Sequence, residues 1–85
     1  MLAGADLRRA DMTRVNLAFA DLTNANLEGA NLRGCDLSRA VLIGADLADT
    51  DLADADLYGA NLQGVRGLDR VRGWDKTRNR DKAIF

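Results

Sequence analysis

A leucine returns every fifth residue along most of this 85-residue chain: Leu2, Leu7, Leu17, Leu22, Leu27, Leu32, Leu37, Leu42, Leu47, Leu52, Leu57 and Leu62, with Met12 filling the one remaining place. A period of five suits neither regular element. On a helix, successive leucines would fall roughly 140° apart and smear around the cylinder; on a flat strand, an odd period sends them alternately to opposite faces. They can share one axis only if the chain turns a corner with every pentad and winds around its own leucine column.

The other pentad positions agree with such a coil. Two residues before each leucine stands a small side chain, as in Ala5, Ala10, Ala20, Ala25, Ala30, Cys35, Ala40, Ala45, Thr50, Ala55 and Ala60, with Val15 in the same series. Immediately before the leucine comes Asp or Asn, and Val41 is the exception. The two remaining positions vary freely, hold Arg8, Arg9, Thr13, Arg14, Glu28 and Arg33, and therefore read as facing solvent. Gly29, Gly34, Gly44, Gly59 and Gly64, with Asn24, occupy one fixed place, where a corner would require positive φ.

The run Ala20-Asp21-Leu22-Thr23-Asn24, followed by Ala25-Asn26-Leu27-Glu28-Gly29, resembles the pentapeptide-repeat proteins, and the match extends over residues 1 to 64. The resemblance implies an all-β fold: a right-handed quadrilateral β-helix with four pentads per coil, stacked through backbone hydrogen bonds. It implies no particular activity. About three coils would span residues 5 to 64 and stand about 15 Å tall at the inter-strand spacing. Residues twenty apart would then stack, so that Asn26 separates Asp6 from Asp46 and Asn31 separates Asp11 from Asp51, leaving Asp36 and Asp56 as a like-charge pair. The same register sets Arg8 beside Glu28 and Phe19 beside Arg39.

Residues 1–64 thus read as the solenoid and 65–85 as a C-terminal cap with a basic polar tail. Leu68, Val71 and Trp74 recur at spacing three, which suggests a short helical turn closing the last coil with Trp74 as its lid. The polar run from Asp75 to Lys82 reads as mobile unless Phe85 docks. At the other end, Met1 enters in mid-pentad with no cap before it. Either further coils precede it or another subunit covers that end, so self-association there is one expectation.

Function is constrained mostly by what the composition lacks. There is no histidine to act as a general base or metal ligand, and Cys35 is the single cysteine, so neither a disulfide within the chain nor a zinc site is expected. The aspartates sit where the repeat wants a short polar side chain, so their spacing reports the fold and no enzyme is expected. Oxygen ligation of a metal by Asp49, Asp51 and Asp54 lacks a recognised loop spacing, and no cofactor is implied. Neither a membrane span nor a signal peptide is evident, which makes the cytoplasm the expected location.

What remains is surface. Val41 and Ile43 place two β-branched apolar side chains in one atypical pentad, and Phe19 and Tyr58 fall on a neighbouring face; these four are the candidate interface of a non-catalytic interaction or scaffold module. Asp46, Asp49, Asp51, Asp54 and Asp56 make the last pentad coil acidic. Some proteins of the family are understood to mimic DNA at type II topoisomerases, so regulation of such an enzyme is the alternative. Those proteins are long and strongly acidic, however, whereas this chain has net charge -1 and carries a basic tail beside its acidic coil. The tail alternates its cations with aspartates and has little aromatic interleaving, so direct nucleic-acid binding is not expected.

Overall fold

The computed structural model describes residues 2–85. Met1, where the chain enters in mid-pentad, lies outside the described residues. The chain winds into a β-helical solenoid with a parallel ladder on each of four sides: Asp6–Asn26–Asp46–Arg66 on the first, Asp11–Asn31–Asp51–Arg72 on the second, Asn16–Asp36–Asp56–Arg78 on the third and Asp21–Val41–Asn61–Ile84 on the fourth. The pairing is β-type, but each side contributes a single bridge residue and no strand forms among the described residues. Five residues per side leave room for one extended residue between corners.

Residues 26–30 show why the pentad closes. Asn26 N–H donates down to Ala5 O at 2.9 Å, while Leu27 and Gly29 N–H donate up to Asp46 O and Ala48 O, both at 2.9 Å. Ala30 N–H closes the turn onto Leu27 O at 2.9 Å, and Glu28 N–H donates to the side-chain Oδ1 of Asn26 at 3.1 Å. All five donors are therefore used, and the Asp/Asn requirement follows from the last of these bonds. The residue two after each leucine has positive φ throughout. Gly29 (φ 69) takes it freely, whereas Phe19 (φ 64) and Arg39 (φ 58) hold a conformation that bulky side chains disfavour.

From Leu17 to Leu62 the leucine column is buried, and the alanine position fills the space beside it. Leu7 and Met12, in the first coil, are half-buried and pack against that core. The two polar members of the alanine series are satisfied: the Thr50 hydroxyl donates to Leu27 O at 2.8 Å, and the Cys35 thiol to Met12 O at 2.7 Å.

Beyond residue 64 the structure departs from the expected helical cap. The separation of bridged residues grows from 20 for Asp46–Arg66 to 21, 22 and 23 on the following sides, so each side of this coil is one residue longer than a pentad. The extra residue is taken up in three 3-10 turns, Leu68–Arg70, Trp74–Lys76 and Arg80–Lys82, each entered from a left-handed residue, Gly67, Gly73 or Asn79. Leu68, Val71 and Trp74 do close over the core. They do so from two successive sides: Leu68 opens one turn, Val71 is extended after it, and Trp74 opens the next. The stretch expected to form one helical turn, followed by a tail mobile unless Phe85 docks, is a fourth, six-residue-sided coil, and Phe85 does dock. Ile84 ends it on the ladder, receiving a hydrogen bond from Leu62 N–H at 2.6 Å, and Phe85 meets Trp74 edge-to-face at 5.9 Å.

Candidate functional site

The acidic residues are built into corners. Asp46, Asp51 and Asp56 each accept, through Oδ1, the N–H two residues on, at 3.0, 3.1 and 3.0 Å. Directly along the ladder from them stand Arg66, Arg72 and Arg78. Asp49 pairs with Arg70 at 2.6 Å, and Asp51 lies 3.5 Å from Arg33. Asp54 is exposed at the corner of the second side. Residues 42–64 carry five aspartates and no Lys or Arg, whereas residues 65–85 carry seven Lys/Arg against three Asp, so rings of charge -5 and +4 lie face to face. Two of the five carboxylates, those of Asp49 and Asp51, thus make ion pairs within the chain.

Four further aspartates or their partners report the same corner chemistry. The Arg8 guanidinium reaches both carboxylate oxygens of Asp6, at 2.9 and 2.8 Å, and holds that carboxyl down at about 2. Arg8 therefore turns along the chain to Asp6; the expected pairing with Glu28 does not form an ion pair. Hydroxyl and amide donors from Thr13, Thr23 and Ser38 lower Asp11, Asp21 and Asp36 below the usual carboxylate range. The stacked pair Asp36 and Asp56 is relieved by these donors, by the Asn79 side-chain amide on Asp56 Oδ1 at 2.9 Å, and by Arg78 next in the column. Burial pushes the Cys35 thiol up, which favours the neutral form.

The apolar candidates divide between two sides. Val41 is a half-buried bridge residue of the fourth side, with Ile43 39% exposed just beyond it. Phe19, 69% exposed, and Tyr58, 43% exposed, belong to the third side, where the Arg39 guanidinium lies between their rings, 5.8 Å from one centroid and 5.6 Å from the other. The neighbouring of Phe19 and Arg39 follows from the twenty-residue coil. Tyr58 as the second ring was hidden, because it sits one place before the stacked position, now filled by Gly59. With Ser38, Asp56 and Asn79 these side chains line a groove of about 390 Å³.

Among the described residues no three His, Cys, Asp or Glu side chains come together as metal ligands, and no helix is long and apolar enough to cross a membrane. The Asp49, Asp51 and Asp54 carboxylates start from different sides or corners of the coil.

Comparison with known proteins places this architecture. A family model described as pentapeptide repeats matches in eight copies, over residues 1–29 and 35–66, ending where the six-residue sides begin. No curated protein matches the chain. Among solved structures, a pentapeptide-repeat protein from the thylakoid lumen of Arabidopsis thaliana is 38% identical over 75% of this chain and 44% of its own, with a TM-score of 0.74. HetL of the cyanobacterium Nostoc sp. strain PCC 7120, a pentapeptide-repeat protein involved in regulating heterocyst differentiation, is 33% identical over 93% of this chain and 38% of its own, with a TM-score of 0.38. Another Nostoc pentapeptide-repeat protein is 42% identical over 74% of this chain and 60% of its own, with a TM-score of 0.34. The chain spans less than two thirds of the length of each of these three proteins. With its repeat matched over more than half its length and its ladder built from stacked pentads, the chain belongs to the pentapeptide-repeat family.

Proposed function

We propose that the chain is a non-catalytic protein–protein interaction or scaffold module. One observation carries the reading: the leucine and alanine positions are consumed in filling the core, yet Phe19, Tyr58 and Ile43 remain exposed on adjoining sides. Isolated exposed apolar groups are ordinary, but aromatic residues clustered with an arginine on a rigid face are the composition of an interaction surface. In keeping with the family resemblance, we take the coil that presents them to be right-handed. The topoisomerase reading gains no support from the acidic coil, whose carboxylates cap corners and face the arginines of the next coil.

The test is affinity capture from a lysate of the source organism with three baits: wild type, Val41→Asp with Ile43→Asp, and Phe19→Ser with Tyr58→Ser. Circular dichroism checks that all three are folded. A protein retained by wild type and lost from at least one folded variant is the expected result. If wild type retains nothing, this assignment falls; a protein retained equally by both folded variants removes these four residues from the interface.

A further inference from the structure

We propose that Arg39, clasped between Phe19 and Tyr58, is the docking point for a carboxylate side chain of the partner protein. The inference rests on the interaction-module reading and gives that interface its chemistry. The guanidinium carbon lies within cation–π range of two aromatic rings, 5.8 Å from the Phe19 centroid and 5.6 Å from the Tyr58 centroid. Its stem crosses Gly59, where a Cβ would come within 3.1 Å of Arg39 Cγ, so the missing side chain at 59 provides the channel in which the stem lies. Three features thus fix one flexible side chain, which lowers the entropy lost when it binds.

Among the described residues the guanidinium has no partner besides the two rings. Arg39 takes part in none of the three ion pairs, and among the described residues its side-chain N–H groups have no acceptor. One oxygen of each adjacent carboxylate is taken: Asp56 Oδ1 accepts from Tyr58 N–H and the Asn79 side chain, and Asp36 Oδ1 accepts from Ser38. An unpaired guanidinium held beside two rings matches a carboxylate through two parallel hydrogen bonds. Charge selects between oxyanions. Asp36 and Asp56 are ladder neighbours, and Asp56 lines the groove, so a dianionic phosphate meets more repulsion than a single carboxylate does. Arg and Tyr surrounded by apolar contacts are also the residues that dominate binding at protein interfaces.

The probe is the capped tripeptide acetyl-Leu-Glu-Leu-amide, compared with its glutamine twin and with inorganic phosphate, while NMR follows the arginine Nε–H signals of the full chain. The Arg39 signal is expected to shift with the glutamate peptide at concentrations at least about tenfold lower than with either control. Arg39→Lys, which keeps the charge and loses the fork, also removes that signal, so the backbone amides of Tyr58 and Asn79 are followed beside it: they should shift with the glutamate peptide in wild type and stay unmoved in Arg39→Lys. An Arg39 signal that ignores the glutamate peptide, or responds equally to the glutamine twin, overturns the proposal; preference for phosphate overturns the carboxylate assignment. The captured partner separates the two levels of inference. If it is retained equally by wild type and by Arg39→Gln, carboxylate docking fails and the interaction module stands, whereas a wild-type bait that retains nothing removes both.

Discussion

Val41 exposes the job of the polar pentad position by failing to do it. Elsewhere an Asp or Asn oxygen takes the N–H two residues on; at Val41 there is no such oxygen, and among the described residues the Ile43 N–H has no acceptor. Val41→Asn should supply one without placing a new charge above Asp21, and we expect a gain of about 0.5–1.5 kcal/mol, read as a higher midpoint in urea. An unchanged or lowered midpoint would mean that apolar packing of Val41 outweighs the missing bond. The same corner bonds set the response to acid. Asp6 is held at about 2 against an unperturbed 3.8, and Asp11, Asp21 and Asp36 are lowered likewise by their hydroxyl and amide donors. Because the folded form binds these protons less readily than the unfolded chain, the stabilisation is complete above 3.8 and disappears as the pH falls toward 2. Thermal midpoints should therefore decline across that interval, and Asp6→Asn should flatten the decline; a midpoint insensitive to pH there would show that the carboxylates contribute alike to both states.

The six-residue sides share one pattern: Val65-Arg66-Gly67-Leu68-Asp69-Arg70, Val71-Arg72-Gly73-Trp74-Asp75-Lys76 and Thr77-Arg78-Asn79-Arg80-Asp81-Lys82. The left-handed residue moves from the end of the side to its start, and Arg replaces Asp or Asn at the bridge position. The preceding coil is fitted to this change. Gly67 presses on Ala48 and Gly73 on Ala53, with a built Cβ meeting backbone atoms at 2.6 and 2.8 Å, and those alanines are buried although their pentad position otherwise faces outward. Gly67→Ala or Gly73→Ala meets both positive φ and immovable backbone, so each should destabilise the last coil by about 1–3 kcal/mol or more. Hydrogen exchange can localise the loss: Leu47 and Leu52 amides, bonded to Arg66 O and Arg72 O, should lose protection while Leu27 keeps its own. Equal loss at all three would show that the fourth coil does not open independently. The leucine column, coil length and corner glycines were legible because one strict residue type marks each pentad. The hexads were not, since Leu68, Val71 and Trp74 mimic a helical spacing and their true marker, Arg-Gly before a turn, carries no apolar period. Of the candidate site, register placed Phe19 beside Arg39 and put Tyr58 on the same face as Phe19, whereas the contact of Tyr58 with Arg39 did not follow from it, because Gly59 fills the stacked position.

As a whole molecule the solenoid is a stack in which each coil is stabilised by its neighbours, so position along the stack should govern energetics more than residue type. Leu7 and Leu32 occupy the same pentad position, but Leu32 is fully buried whereas Leu7, in the first coil, is half-buried. Truncating a buried leucine removes its contacts and leaves a cavity that neighbours on both sides must collapse to fill, a loss of about 2–5 kcal/mol. At Leu7 water already reaches part of the side chain, so less transfer free energy is lost and the opening is solvated at little further penalty. We expect Leu32→Ala to fall in that range and Leu7→Ala to lose less than half as much, with urea unfolding as the measurement. The slope of the transition carries the second part of the argument. If the coils unfold together, the two variants share the wild-type slope and differ only in midpoint; if the first coil detaches alone, Leu7→Ala will show a shallower slope and an early loss of protection at Leu7 and Met12. Equal losses from both substitutions would contradict nearest-neighbour stacking and require that the whole column behave as one indivisible core.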